Sequence, residues 1–129
     1  MATAMGSEVT IQFLDAFGDA WNRHDVDDIM TFMADDCAFE TTAGPEVCGK
    51  RYEGREAVRK AFVRVFSIFP DAHFGNPRHF LAGDRGCTEW TFTGTGADGK
   101  PVEVLGCDLF TFRDGRITLK SSYFKNRVG

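Results

Sequence analysis

The sequence predicts an α+β fold in which three N-terminal helices pack on one face of a curved, mainly antiparallel sheet. The first observation is the order of the patterns: two helical stretches, a short strand, a third helical stretch and then a run of strands. The second is that short turns containing Asp and Gly separate the last four strands. Because 129 residues suffice for one hydrophobic core, we predict a single domain over residues 1–129.

The first predicted helix covers residues 8–23, where apolar side chains recur at helical spacing and charged ones lie off that stripe. Ser7 is placed to cap its start. After a break at 22–25, Asp25 can cap a second, short helix that runs to about Met33. Asp27 and Asp28 then fall in its first turn, where the helix dipole favours negative charge.

The remaining elements follow from breaks in the same patterns. Residues 34–36 turn the chain into a short strand at 37–41, and a loop at 44–49 follows. A third helix is predicted over residues 55–68, with its apolar side chains on one side and Pro70 as its stop. Strand patterns then cover residues 72–82, 86–95, 101–112 and 116–125.

Asp108 interrupts a strand that is otherwise apolar on both faces. Side chains alternate along a strand, so Asp108 shares one face with Val104 and Phe110, while Leu105 and Leu109 point the other way. A carboxyl group on an apolar surface needs a partner or a raised pKa. Asp108 is therefore a candidate acid or base, with a structural ion pair or a water-exposed edge position as alternatives. The second apolar face would be covered by a symmetric partner subunit.

Composition excludes several classes of function. The net charge is −4 and basic residues are not clustered, so we expect no nucleic-acid partner. The longest apolar stretch is too short to span a bilayer, and the N-terminus does not resemble a signal peptide. The four cysteines lack zinc-site spacing and no His lies near them, so we predict no metal, no cofactor and reduced thiols in a cytoplasmic protein.

The chain resembles the SnoaL-like and ketosteroid-isomerase-like branch of the nuclear transport factor 2-like superfamily from about Val9 to Arg127. The resemblance lies in five segments that occur in the family's order: residues 21–25 (WNRHD), 32–40 (FMADDCAFE), 54–58 (GREAV), 89–95 (EWTFTGT) and 108–117 (DLFTFRDGRI). It implies a cystatin-like cone of helices on a curved sheet, an apolar pocket and a homodimer. Its members include isomerases, cyclases, dehydratases, epoxide hydrolases and non-catalytic proteins.

The resemblance also implies roles for single residues. Asp108 matches the pocket aspartate, which is a neutral hydrogen-bond donor in the isomerases and the acid–base group in the polyketide cyclases. The general base of the isomerases would fall at Thr41 and their tyrosine at Phe17, neither of which can act in that role, so classical steroid isomerisation is not expected. The cyclase histidine has no counterpart near residues 94–96, and Ser122 stands where the epoxide hydrolases have an aspartate.

The turn at 113–115 decides which side chain faces Asp108. A two-residue Asp-Gly turn would pair Asp108 with Ser121, whereas a three-residue loop would pair it with Lys120. The resemblance favours the second register, which puts Lys120, Ser122 and Phe124 on the pocket wall. An ammonium beside Asp108 would keep the carboxyl ionised, as a base or as a buried ion pair.

Two functions remain open. In the first, Asp108 and Lys120 are catalytic groups of a cofactor-free enzyme that acts on a small apolar, oxygenated compound. In the second, the same cone is a non-catalytic ligand-binding or dimerisation module. The candidate ligand-binding side chains, some of which can equally be plain core, are Phe17, Trp21, Thr41, Tyr52, Phe62, Trp90, Phe92, Phe110, Ser122 and Phe124.

Overall fold

The computed structural model describes residues 9–128, and it confirms the α+β class. Within that range three helices pack on a six-stranded, mostly antiparallel sheet. The helices are α1 (Ile11–Asn22), α2 (Val26–Thr31) and α3 (Arg55–Ile68). The strands are β1 (Met33–Glu40), β2 (Arg51–Glu53), β3 (His73–Ala82), β4 (Arg85–Thr95), β5 (Pro101–Arg113) and β6 (Arg116–Phe124). None of these helices is long and apolar enough to cross a membrane.

The sheet has the strand order β2-β1-β6-β5-β4-β3. β3 to β6 form the predicted antiparallel meander, and β2 pairs antiparallel with β1. β1 and β6 run parallel to each other, which joins the first strand of the chain to the last. β6 therefore has a parallel neighbour, β1, on one side and an antiparallel neighbour, β5, on the other.

The helix starts depend on side-chain caps. Thr10 caps α1, because its Oγ1 accepts a hydrogen bond from the backbone N–H of Phe13 at 3.1 Å. The predicted cap, Ser7, lies outside the described residues. Asp25 caps α2 as predicted and accepts from the N–H of Asp28. The prediction that α2 reaches Met33 is wrong, since α2 ends at Thr31 and Met33 belongs to β1.

Two strand predictions also need correction. β1 begins at Met33 rather than at residue 37, because Met33 already pairs with Ile117 of β6. The expected turn at 34–36 is instead an irregular part of the strand, where the register shifts between Met33 and Ala38. β2 was not predicted, since three residues are too short to show an alternating pattern.

The β5–β6 register matches neither of the two predicted ones. Asp114 and Gly115 form a two-residue turn with φ values of +54° and +75°, and Arg113 pairs with Arg116 across it. A bulge then shifts the register, because Thr111 pairs with Leu119 whereas Phe112 pairs with Ile117. Asp108 consequently faces Ser122, and not Ser121 or Lys120.

The two faces of the sheet have different environments. The inner face, defined by Val104, Asp108 and Phe110 of β5, is buried beneath the helices. The outer face, defined by Leu105, Cys107 and Leu109, leaves Leu105 62% exposed and Tyr123 of β6 53% exposed. The alternation predicted for β5 is thus confirmed. Among the described residues, the helices cover the inner face, whereas Leu105 and Tyr123 on the outer face stay exposed.

Candidate functional site

Asp108 lies on the inner face and is 7% exposed. Trp90 of β4 donates its indole N–H to Oδ2 at 3.1 Å, and Ser122 of β6 donates its hydroxyl to Oδ1 at 2.5 Å. Lys120 Nζ lies 3.1 Å from the same Oδ1. Each of these three groups can donate a hydrogen, so the arrangement suits an ionised carboxylate.

Lys120 is 5% exposed and joins this carboxylate to the aromatic core. Its Nζ donates to Ser122 Oγ at 2.8 Å, and it lies 4.6 Å and 4.7 Å from the ring centroids of Phe39 and Trp21. Burial lowers the pKa of the Lys120 ammonium, and the neighbouring Asp108 carboxylate acts in the opposite direction. Ion pairing and the ring faces both favour the charged form.

Two cavities meet at Lys120. We call the smaller one, of about 230 Å³, the Asp108 cavity; it runs between α1 and strands β3 to β5. The larger one, of about 460 Å³, is the Tyr52 cavity, between α3, the loop after β1 and strand β6. Both are lined by Trp21, Phe74, Trp90 and Lys120, which form the wall between them.

The structure brings most of the predicted side chains to these cavities. Asp108, Phe17 and Phe110 line the Asp108 cavity. The Tyr52 cavity is lined by the predicted residues Thr41, Tyr52, Phe92, Ser122 and Phe124. Phe62 is the exception: it is fully buried, packs on the rings of Trp21 and Phe39, and belongs to the core.

Sequence reasoning missed a second polar group in the Asp108 cavity. His79 of β3 contacts Asp15 of α1 through Nε2 at 2.7 Å and Thr88 of β4 through Nδ1 at 2.8 Å. All three side chains line the cavity. Thr88 is the cross-strand partner of Asp108, so strand pairing could have found it if the β4–β5 register had been known.

One polar atom in the wall between the cavities lacks a partner. The indole Nε1 of Trp21 is buried and has no hydrogen-bond acceptor among the described residues. An unpaired buried donor costs about 1–3 kcal/mol unless a bound molecule or a water accepts its hydrogen. Over the same residues no group of three or more His, Cys, Asp or Glu side chains could hold a metal ion.

The arrangement is suited to proton transfer. A carboxylate that is sequestered from bulk water, held by donors and open to a cavity can accept a proton from a bound molecule. The ammonium of Lys120 lines both cavities and can stabilise negative charge that develops on such a molecule. The aromatic walls supply apolar surface for binding.

Comparison with known proteins gives a family and a set of structural relatives. The family model described as SnoaL-like domain matches residues 14–120. No curated protein matches the chain.

Three solved structures illustrate the likeness. A candidate polyketide cyclase of Xanthomonas campestris pv. campestris is 25% identical, with a TM-score of 0.76 and 87% of each chain covered. A protein of Catenulispora acidiphila with a ketosteroid isomerase-like fold, in complex with trimethylamine, is 22% identical, with a TM-score of 0.75 and coverage of 89% of this chain and 86% of that one. A protein of unknown function with a cystatin-like fold, from Xanthomonas campestris, is 15% identical, with a TM-score of 0.80 and 92% of each chain covered.

Proposed function

This chain belongs to the family of SnoaL-like domains, and we propose that it is an enzyme that performs cofactor-free acid–base chemistry at Asp108 on a small apolar, oxygenated compound. The observation that carries the proposal is the Asp108 carboxylate, buried in a cavity wall and held by three hydrogen-donating groups. Within this proposal the carboxylate is a general base, not the neutral donor of the isomerases.

Lys120 and Ser122 have supporting roles in the proposal. The Lys120 ammonium lies 3.1 Å from Asp108 Oδ1 and lines both cavities, so it can stabilise an oxyanion that forms after the proton leaves. Ser122 bridges the two charges, because its hydroxyl donates to Asp108 and accepts from Lys120. Removal of either group would change the position of the base.

The reaction class follows from the side chains at the positions of the isomerase base and tyrosine. Thr41 and Phe17, at the positions of the isomerase base and tyrosine, cannot supply a second acid–base pair. The Thr41 hydroxyl is also engaged by the carbonyl of Ala43 and the N–H of Lys50. A cyclisation, a dehydration or an isomerisation that needs one base therefore fits better than classical steroid isomerisation.

The substrate class is supported by the walls of both cavities. Aromatic side chains provide flat apolar surfaces in both cavities, and Asp108, Lys120 and further polar side chains of the walls can contact the oxygen atoms of a ligand. The structural relative from Catenulispora acidiphila holds trimethylamine, a small molecule. We propose that this chain also takes a compound small enough for cavities of about 230 and 460 Å³.

The test uses a generic carbon acid, 5-nitrobenzisoxazole, because a base that removes its ring C–H proton breaks the N–O bond and releases a coloured phenolate. The wild-type protein should accelerate this elimination above the buffer rate. Asp108→Asn should reduce turnover by about 10²-fold or more while the protein stays folded. Asp36→Asn removes a carboxylate from an exposed ion pair and serves as the matched control. Equal rates for wild type and Asp108→Asn would contradict the proposal.

A second candidate is a non-catalytic ligand-binding or dimerisation module. The observation in its favour is that Asp108, Ser122 and Lys120 form a closed set of contacts within the chain. Under this alternative Asp108→Asn lowers the melting temperature but changes no rate. Comparing the melting temperature and the elimination rate of the same variant separates the two candidates.

We further propose that the chain forms a homodimer through the outer face of the sheet and acts in the cytoplasm. The exposed apolar side chains of Leu105 and Tyr123 support the homodimer, since a second copy would cover them.

The four free cysteines support the cytoplasmic location, because reduced thiols persist in that compartment. Burial, and secondly the neighbouring Cys107, raises the pKa of Cys87 to about 12, which keeps that thiol protonated and unreactive.

A further inference from the structure

We propose that Thr88, held in place by His79 and Asp15, is a hydrogen-bond-accepting subsite of the Asp108 cavity that selects ligands carrying a hydroxyl group. The ligand class is an alcohol, a phenol or an enol. This inference rests on the proposed function, since it assigns one end of the substrate to the cavity in which Asp108 is the base.

The subsite is built from three elements. Asp15 of α1, His79 of β3 and Thr88 of β4 form a chain of two contacts, at 2.7 Å and 2.8 Å. Thr88 is 7% exposed and the His79 side chain 6% exposed, whereas the Asp15 side chain is 61% exposed. This series of two hydrogen bonds therefore runs from the solvent-exposed Asp15 to Thr88 in the buried cavity wall.

The direction of each hydrogen bond follows from the chemistry of the groups. An Asp15 carboxylate can only accept, so the His79 nitrogen facing it carries the hydrogen. In neutral His79 the other nitrogen then has a free lone pair and must accept, so the Thr88 hydroxyl donates to Nδ1. With its hydrogen committed to His79, Thr88 Oγ1 presents only lone pairs to the cavity.

Thr88 and Asp108 act on the same part of the cavity. They are directly paired residues on β4 and β5, and both side chains line the Asp108 cavity. This end of the cavity thus offers two adjacent acceptors, one neutral and one charged. An O–H group can donate its hydrogen to one of these acceptors, whereas a ligand with only acceptor atoms leaves the Thr88 lone pairs unpaired. His79 and Asp15 are positioning residues here, because they fix the hydroxyl orientation without needing to touch the ligand.

The test is a comparison of two probes, 2-naphthol and 2-fluoronaphthalene, which have similar shape but differ in the hydroxyl donor. Binding to the full chain is measured by calorimetry at about pH 8, where an ordinary imidazole is neutral. The wild-type protein should bind 2-naphthol about fivefold to tenfold more tightly, the ratio that one neutral hydrogen bond supplies. Thr88→Val removes the hydroxyl at nearly constant shape and should reduce that ratio, whereas Thr88→Ser should keep it.

Two further variants make the result specific. His79→Phe should also reduce the ratio, because the Thr88 hydroxyl becomes free to turn its hydrogen into the cavity. Thr91→Val, the same substitution on the outer face of β4, is the control that should leave the ratio unchanged. An unchanged ratio in Thr88→Val, failure of Thr88→Ser to retain it, or equal binding of both probes by the wild type would overturn the subsite.

The ratio of the two probe affinities is measured independently of turnover. Asp108→Asn should retain the part of the affinity ratio that depends on Thr88, even though it should remove most of the elimination of 5-nitrobenzisoxazole. If Asp108→Asn loses turnover while Thr88→Val has no effect on the ratio, the subsite is wrong and the proposed base stands. If Thr88→Val changes the ratio while Asp108→Asn keeps full turnover, the subsite stands and the proposed base is wrong.

Discussion

The Lys120 ammonium is surrounded by two kinds of partner. A carboxylate and a hydroxyl lie on one side of Nζ, and the rings of Trp21 and Phe39 lie on the other. Desolvation lowers the pKa of Lys120 and makes burial of the ammonium costly. A buried ion pair with good geometry offsets much of this desolvation cost. The intact pair therefore adds little net stability. Removing one member is costly, because the other charge would then be buried without a partner.

The first prediction tests this constraint. Lys120→Met leaves the Asp108 carboxylate without its counter-ion and should lower the free energy of unfolding by roughly 3–5 kcal/mol. The double variant Lys120→Met with Asp108→Leu should be less destabilised than the sum of the two single changes. Urea denaturation measures all three proteins.

An exposed ion pair provides the control for that cycle. Arg113 and Asp36 lie 2.6 Å apart, with their side chains 56% and 64% exposed. Arg113→Met should cost far less stability than Lys120→Met, since water screens the exposed pair. Equal losses for Lys120→Met and Arg113→Met would contradict the view that burial makes the Asp108 pair sensitive.

At the scale of single elements, the packing of Trp90 of β4 on β5 depends on a glycine, Gly106. A Cβ atom added at Gly106 would lie within 2.5 Å of Trp90 Cη2 and of the Tyr123 carbonyl oxygen. Trp90 therefore packs directly on the β5 backbone, in the position from which its indole N–H donates to Asp108. The glycine allows the orientation of a side chain in the candidate site.

We predict that Gly106→Ala destabilises the protein on the order of 1–3 kcal/mol and shifts Trp90 away from Asp108. Equilibrium unfolding measures the loss of stability, and the tryptophan emission spectrum of the folded protein reports the shift of Trp90.

Gly18→Ala is the contrasting change, because an added Cβ meets nothing within 4 Å. In the middle of α1 it should raise stability by about 0.5–1 kcal/mol. Similar effects of both substitutions would refute the packing explanation.

The elements were more predictable than their pairing. Helix α3 and the four strands of the meander follow from periodicity and turn residues, which are local signals. The residues that share a face with Asp108 follow from alternation, and the family resemblance places that face in the pocket. The register of β5 on β6 did not follow, because the extra residue lies beyond the Asp114–Gly115 turn, in a strand whose sequence shows no break. The Thr118 hydroxyl donates to the Thr111 carbonyl beside this bulge, a contact that requires the folded pairing to exist.

The candidate site shows the same limit. Asp108, Lys120 and most of the aromatic wall were accessible from strand pattern and family resemblance. Thr88 was not, because five residues separate β4 from β5 and a loop of that length allows several registers. His79 was not either, because its partners Thr88 and Asp15 lie on two other elements. Asp15 lies 64 residues before His79, and only the packing of α1 on β3 brings them together.

For the whole molecule, the outer face of the sheet determines the expected assembly. Leu105→Lys places a charge on that face and should convert a dimer to a monomer at micromolar concentration, as measured by sedimentation velocity. The fold and the elimination rate should persist if each cavity lies within one chain. Val63→Lys replaces an exposed apolar residue on α3 and should leave the assembly unchanged. A wild-type protein that sediments as a monomer would disprove the dimer.

The parallel pairing of β1 with β6 has a consequence for the order of folding. β1 is made early, yet its neighbour in the sheet is the last strand along the chain, so their contact closes a loop of about eighty residues that costs much entropy. Until β6 arrives, the β1–β2 hairpin and the β3–β5 meander are separate sheets with open edges. Lys120 and Ser122 enter with that same strand. We therefore expect completion of the sheet and assembly of the candidate site to be one late and slow kinetic event, since long-range pairing limits folding rates.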